Sequence, residues 1–298
     1  MSSLTTGAGK TRLARAALLA LGLALLVALG VGDASATPKA HESKVVSYMQ
    51  KTYQLSGPNE KRRLTVRCPG RQVPLGGGKT SFPPPAADGE GIYPHSYERL
   101  GLQHGYHSTV VLFDPSPGST QARSVTLQVA CAPKQKHVTP PHRTVYVNPG
   151  ETKTAVATCP GRRHLFGGGF QRTDFIARGG DYITDSHAIS DRSWSVTGHA
   201  FGGFGGQLTA IAYCWRSKKP LLTEVSGSAE VRPGGFATAT TPPCPVGHLV
   251  FGGFSTSPAG AVFMTNGVIN PDGSWSASAM NHFGPSAAIT AYGYCLKI

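Results

Sequence analysis

Three groups of residues in this sequence could carry chemistry. The densest is Tyr93, His95, Tyr97, His104, Tyr106 and His107. Imidazoles this close together can ligate a metal ion, and phenol rings can stack on sugar rings. A solvent-exposed loop of ordinary His and Tyr content reads the same way. Asp174, Asp181 and Asp185 form a second group, from which two carboxylates could serve as acid and base in glycoside hydrolysis. The third is the run Cys159-Pro160-Gly161-Arg162-Arg163-His164-Leu165-Phe166-Gly167-Gly168-Gly169-Phe170, whose glycines beside arginines could turn backbone N–H groups toward an anion. The sequence holds no Gly-x-Ser-x-Gly, no His-Glu-x-x-His and no calcium-loop pattern.

Repetition changes the reading of the second and third groups. The glycine run has an earlier copy, from Cys68-Pro69-Gly70 to Gly76-Gly77-Gly78, and a later one, from Cys244-Pro245 to Gly252-Gly253-Phe254. In each copy the first glycine of the cluster lies eight residues after the cysteine. A phosphate loop needs its glycines to open a helix, and none is expected here, so the clusters read as places where a strand bends or lies close against another. Ile183 to Trp194 aligns without a gap on Met264 to Trp275, which sets Asp185 on Asn266 and Asp191 on Asp272. That match makes the carboxylates loop and turn residues. Trp194 and Trp275 each precede a closing cysteine, Cys214 or Cys295, by 20 residues and read as core anchors; in the first copy the same offset from Cys131 lands on Val111. Thr126, Thr209 and Thr290 each stand five residues before the closing cysteine.

The elements that must position these residues are short strands. Ser124 to Cys131 and Leu208 to Cys214 alternate apolar and polar side chains, and Pro/Gly/Asn/Asp clusters separate the runs. The expected fold is all-β: three tandem, disulfide-stapled antiparallel repeats over residues 60–133, 144–216 and 221–298, joined by linkers 134–143 and 217–220. Residues 37–59 read as a flexible leader, and residues 79–109 as an irregular insert in the first repeat. The repetition favours pairing Cys68 with Cys131, Cys159 with Cys214 and Cys244 with Cys295. No Cys-x-x-Cys occurs, so neither a zinc site nor any other cofactor is expected.

Lys10, Arg12 and Arg15, the apolar run Ala16 to Val31 and Ala34-Ser35-Ala36 have the layout of a secretory signal peptide over residues 1–36, with no transmembrane anchor. Even cysteine usage suits an oxidising, extracellular compartment. Removing Lys10, Arg12, Arg15 and Asp33 from the whole-chain 28 Lys+Arg and 15 Asp+Glu leaves 25 against 14 in residues 37–298. Such an excess suits polyanionic neighbours, and equally serves solubility alone.

Cys-Pro-x-Gly, the glycine cluster, a Trp-containing strand and a closing Ala-Tyr-x-x-Cys, as in Ala291-Tyr292-Gly293-Tyr294-Cys295, resemble actinobacterial secreted repeat proteins of unknown function. Ala212-Tyr213-Cys214 has a shorter interval, and the first repeat lacks the Tyr. That resemblance covers Glu60 to Ile298 and implies export and disulfides, with no activity. Cys244-Pro245, Gly253-Phe254 and Thr290-Ala291 are more distantly similar to vitelline membrane outer layer protein, which implies a threefold β-prism. The expected function is non-enzymatic binding or structure in the extracellular space or cell wall, with anionic or glycan wall polymers as partners and nucleic acid disfavoured. The alternative is an extracellular hydrolase with its site in the first repeat's insert. A secreted inhibitor or toxin-like partner of another protein is a third reading.

Overall fold

The computed structural model describes residues 46–55, 60–82, 91–99, 105–113, 123–133, 140–173, 181–201, 203, 205–258, 262–281 and 284–297. The segment 1–36, expected to be a signal peptide, lies outside the described residues, as do His104 and Asp174. Every regular element described is a strand. The first cysteine-bounded unit supplies β1 (Ser47–Leu55), β2 (Lys61–Arg67), β3 (Gln72–Phe82), β4 (Gly91–Arg99), β5 (Gly105–Phe113) and β6 (Arg123–Pro133). The second supplies β7 (His142–Val147), β8 (Thr152–Thr158), β9 (Arg163–Arg172), β10 (Asp181–Ala188), β11 (Ser193–Ala200) and β12 (Gly206–Arg216). The third supplies β13 (Leu222–Val231), β14 (Phe236–Thr240), β15 (His248–Ser257), β16 (Val262–Ile269), β17 (Trp275–Asn281) and β18 (Ala287–Leu296).

Three segments that the sequence reads as leader, insert and linker carry strand residues. Residues 47–55 of the expected leader form β1, an edge strand paired with β6 from Ser47↔Cys131 to Leu55↔Arg123. Most of β1 is exposed, so it lacks the apolar alternation that marks a half-buried strand. The expected insert 79–109 holds the end of β3, all of β4 and half of β5, standing where β9, β10 and β11 stand in the second unit. His142 and Arg143 of the expected linker belong to β7.

The strands form three antiparallel six-stranded sheets, in the orders β1-β6-β3-β16-β17-β14, β2-β5-β4-β9-β12-β7 and β13-β18-β15-β10-β11-β8. No sheet belongs to one unit. Each unit gives its first, third and sixth strands to one sheet and its second, fourth and fifth to another. The first unit shares a sheet with the third, the third with the second, and the second with the first. This closed, cyclic exchange is compatible with a three-sided prism. One core cluster gathers Leu64, Leu127, Phe170, Trp194, Phe254 and Ile289, residues of all three units.

Disulfides join Cys68 to Cys131, Cys159 to Cys214 and Cys244 to Cys295. Each pair connects the end of a unit's second strand to its sixth, and those strands lie in different sheets. The three bridges therefore staple the three sheets pairwise around the ring. With sequence separations of 63, 55 and 51, each would contribute about 4 kcal/mol in the chain-entropy model.

The glycine clusters sit where the two halves of each sheet meet. Ladders within a unit run long, as in β13–β18 from Leu222↔Leu296 to Val231↔Ala287. The joins between units are sparse: Gly267↔Lys79 for β16–β3, Ser186↔Phe254 for β10–β15, and Ser96↔Gln171 with Tyr97↔Phe170 for β4–β9. A Cβ at Gly78 would come 2.2 Å from the Gly267 carbonyl oxygen, one at Gly169 would come 2.1 Å from that of Tyr97, and one at Gly253 would come 2.5 Å from that of Ser186. The preceding glycine in two units clears space for indole: a Cβ at Gly168 would lie 1.9 Å from Trp194, and one at Gly252 would lie 2.0 Å from Trp275. In the first unit Tyr106 takes this place, with its ring 2.9 Å from a Cβ at Gly77. Tyr106 pairs with Val66, two residues before Cys68, as Trp194 pairs with Ala157, two before Cys159. Tyr106, and not the Val111 on which the 20-residue offset from Cys131 lands, is therefore the structural match of the two tryptophans.

Gly169→Ala is expected to destabilise the protein by about 3 kcal/mol, because the new methyl meets rigid backbone. Nothing lies within 4 Å of a Cβ at Gly203, so Gly203→Ala is the control and should stay within about 0.5 kcal/mol of the parent. Urea midpoints of both variants check this, and equal midpoints would refute the close-approach account.

Candidate functional site

Of the His/Tyr group, the structure buries Tyr97 and Tyr106 in the core, where their rings stack with centroids 6.4 Å apart. Tyr97 also meets Phe170 edge-on at 5.2 Å. Tyr93, His95 and His107 are placed by backbone only: Tyr93 opposite Val111, His95 at a bulge in β4, His107 between Thr65 and Glu98. Asp181 is likewise placed only by backbone, opposite Ala200.

Other carboxylates have structural work. Asp185 follows a bulge in β10, and its Oδ1 accepts the Thr256 N–H at 2.8 Å. Asn266 follows the matching bulge in β16 and accepts the Ser81 N–H at 3.0 Å. Both side chains thus bridge a sheet join. Burial raises the Asp185 carboxyl above its usual range, opposed by the Thr256 N–H and by hydroxyls of Thr197 and Thr184. Asp191 pairs with His164 Nδ1 at 2.8 Å, and Asp272 accepts the Ser274 N–H at 2.9 Å in a turn. The repeated threonines pair across strands on the sheet exterior: Thr126 with Thr52 at 2.8 Å, Thr209 with Thr144 at 2.8 Å and Thr290 with Ser228 at 2.9 Å.

Beside each join lies a surface groove built from equivalent places: a unit's first and sixth strands and the end of another unit's fourth. At β10–β15 the groove is about 320 Å³ and presents Glu224, Asp191 and Tyr294. At β16–β3 it is about 370 Å³ and presents Tyr48, Met49, Gln50, Gln128 and Asn270. At β4–β9 it is about 390 Å³ and presents Glu98, Arg99, His142, Gln171, Gln207, Thr209 and Tyr213. The same backbone donor is held in all three. The Arg99 N–H donates to Tyr213 Oη at 2.7 Å, and that of Ala188 donates to Tyr294 Oη at 2.7 Å. The first unit lacks this tyrosine, and there the Ile269 N–H donates to Gln128 Oε1 at 3.0 Å. One frame therefore presents an acidic, a neutral and an arginine-bearing groove.

Arg99 is the residue sequence reasoning missed. It takes the place of Ala188 and Ile269, each the last residue of its unit's fourth strand. Its guanidinium carbon sits 5.2 Å from the ring centroids of both Phe166 and Tyr213, a double cation–π contact. The side chain is only 9% exposed. Burial lowers its pKa to about 10, with Tyr213 opposing, so it stays charged at neutral pH. The signal that could have found it is a long cation at a place where the other units carry aliphatic side chains.

No protein-family model matches the chain, and no curated protein matches it. Among the described residues no group of three or more His, Cys, Asp or Glu side chains is placed to hold a metal ion.

A second departure between units is Lys79, which follows Gly78 where Phe170 follows Gly169 and Phe254 follows Gly253. It is fully buried, and desolvation lowers its ammonium to about 7. In the unfolded chain the amine keeps its ordinary proton affinity, so between about pH 7 and about pH 10 the unfolded state holds more protons than the native one. Stability is expected to rise with pH across that window. Lys79→Met should flatten the rise and be more stable than the parent at the neutral end. Urea midpoints taken across the window check both, and parallel curves for the two proteins would overturn the assignment.

Proposed function

We propose that the protein is an extracellular binding protein that holds anionic glycan polymers across the outer face of the sheet β2-β5-β4-β9-β12-β7. The observation that carries this is the charge of its edge. In β2, Lys61, Arg62, Arg63 and Arg67 are all exposed, while Leu64 and Val66 are buried, which sets Arg63 and Arg67 on the outer face. The adjoining edge strand β1 adds Lys51, and neither strand holds an acid. Matching strands elsewhere differ: β7 and β8 carry Arg143 and Lys153, and β13 and β14 carry Glu224 and Glu230 with no base. Five bases and no acid thus fall on two adjoining edge strands. A rim of lysine and arginine raises the encounter rate with a polyanion and loses force as salt screens it.

Three intact disulfides suit an oxidising extracellular setting, and among the described residues no helix is long and apolar enough to cross a membrane. Export by the segment 1–36 is part of the proposal.

Retention on immobilised polygalacturonate, with dextran as the neutral control, tests the reading. The protein should be retained on the anionic resin at an ionic strength of about 0.01 M and released at about 1 M. Replacing Lys61, Arg63 and Arg67 together with Gln should weaken low-salt retention about tenfold or more. Full retention of that variant, or equal retention on dextran, would remove the basis for the proposal.

A further inference from the structure

We propose that the groove at the β16–β3 join is a binding site for one neutral hexopyranose unit of a glycan, which stacks on the exposed ring of Tyr48. The proposal goes beyond the reading above, since it concerns another sheet and an uncharged ligand. Tyr48 is 46% exposed, yet its Oη donates to the Leu249 carbonyl at 2.7 Å. Burial also raises the phenol above its usual range. The hydroxyl is thus the covered end, and the exposure falls on the ring. Leu249 belongs to the third unit, so a contact between units holds the ring in place. An aromatic surface fixed in this way loses little freedom when the C–H face of a ligand docks on it. The feature is peculiar to the first unit. Tyr48 pairs with Ala130, the residue before Cys131, where the third unit pairs Glu224 with Tyr294, the residue before Cys295. Tyr294 is buried, whereas Tyr48, on the edge strand, keeps its ring in the open.

The rest of the groove supplies what sugar hydroxyls need. None of its lining residues is Asp, Glu, Lys, Arg or His, so a neutral ligand meets no unpaired charge there. Asn270 Nδ2 donates to Ser274 Oγ at 2.9 Å and to Ser276 Oγ at 2.8 Å, which fixes the amide and leaves Oδ1 with no partner among the described residues. Unlike the Arg99 nitrogens, that oxygen is not closed off from solvent. Gln128 Nε2 donates to the Ile269 carbonyl at 3.3 Å while Oε1 accepts the Ile269 N–H at 3.0 Å, so one amide hydrogen remains. Gln50 stands exposed in register with Gln128. Met49 and Pro271 add apolar surface to the same groove. A pyranose has C–H groups on its face and hydroxyls around its rim, and an aromatic ring among held amides complements both. The volume of about 370 Å³ falls in the range of small-ligand clefts.

Saturation-transfer NMR on cellotriose, mannotriose and galactotriose tests this. At least one should bind the parent protein, and the variant with Lys61, Arg63 and Arg67 replaced by Gln should bind it equally well. Tyr48→Ala should weaken binding about tenfold or more, whereas Tyr48→Phe, which keeps the ring, should stay within about threefold of the parent. Gln50→Ala, at an exposed position, should lose severalfold and decides the matter if Tyr48→Ala does not fold. The proposal falls if no trisaccharide binds the parent, or if a proline-rich peptide displaces the sugar at equal concentration. It falls also if folded Tyr48→Ala or Gln50→Ala binds as the parent does. A single neutral contact is weak beside a row of bases, so dextran should still be retained far less than polygalacturonate at low salt. Absence of trisaccharide binding with polygalacturonate retention intact would remove this site and leave the basic edge standing, and the reverse result would remove the edge and leave this site.

Discussion

The close approach of two backbones at each sheet join is the constraint on which the rest of the structure depends. Every sheet is half one unit and half another, and the halves meet through one or two registered pairs. At each meeting a carbonyl oxygen stands where a Cβ would be, so Gly78, Gly169 and Gly253 admit no side chain without displacing backbone. Sparse ladders need outside support. The disulfides supply part of it by tying neighbouring sheets, and Trp194, Trp275 and Tyr106 supply more by filling the hollows left by the neighbouring glycines. A unit cut out alone would keep two half-sheets, each with its join exposed and its core partners removed. The cooperative unit is the ring rather than the single repeat.

That constraint also separates what must recur from what is free to vary. Glycines, cysteines and the large ring beside each join recur because the joins demand them. The residue at the end of the fourth strand does not: its backbone N–H is fixed by a tyrosine hydroxyl or, beside β6, by the Gln128 amide, while its side chain is Arg99, Ala188 or Ile269. The frame therefore holds three similar grooves and leaves their chemistry open. Lys79 shows the same freedom in the interior, where it replaces a phenylalanine.

Much of the architecture was legible because it is local. Alternation in Ser124–Cys131 and the fixed offset from cysteine to glycine cluster led directly to strands and to the disulfide pairing now seen. What escaped was either unpatterned or non-local. The strand β1 is exposed along most of its length, so its side chains carry no burial signal. Unit one hid β4 and β5 because Tyr106 replaces tryptophan and Lys79 replaces phenylalanine, which removes the two landmarks that align the others. The exchange of strands between units left no trace, since a strand's pattern reports that one face is buried and not which chain segment buries it. Arg99 was hidden for a related reason: it reads as a surface cation until Phe166 and Tyr213, far along the chain, pack together against it.

Two kinds of charged environment then meet on one sheet. The bases of β2 are exposed, so water and salt weaken each of them, and they act together as a field rather than as a grip. Arg99 is buried against two aromatic rings, so salt screens its charge little. Arg99 stands in register with Tyr106 and, through it, with the buried Val66, so it lies on the core-facing side of the sheet while Arg63 and Arg67 lie on the outer face. A field on the outer face and a cation packed into the interior are therefore separate features of one sheet, and salt weakens the first far more than the second.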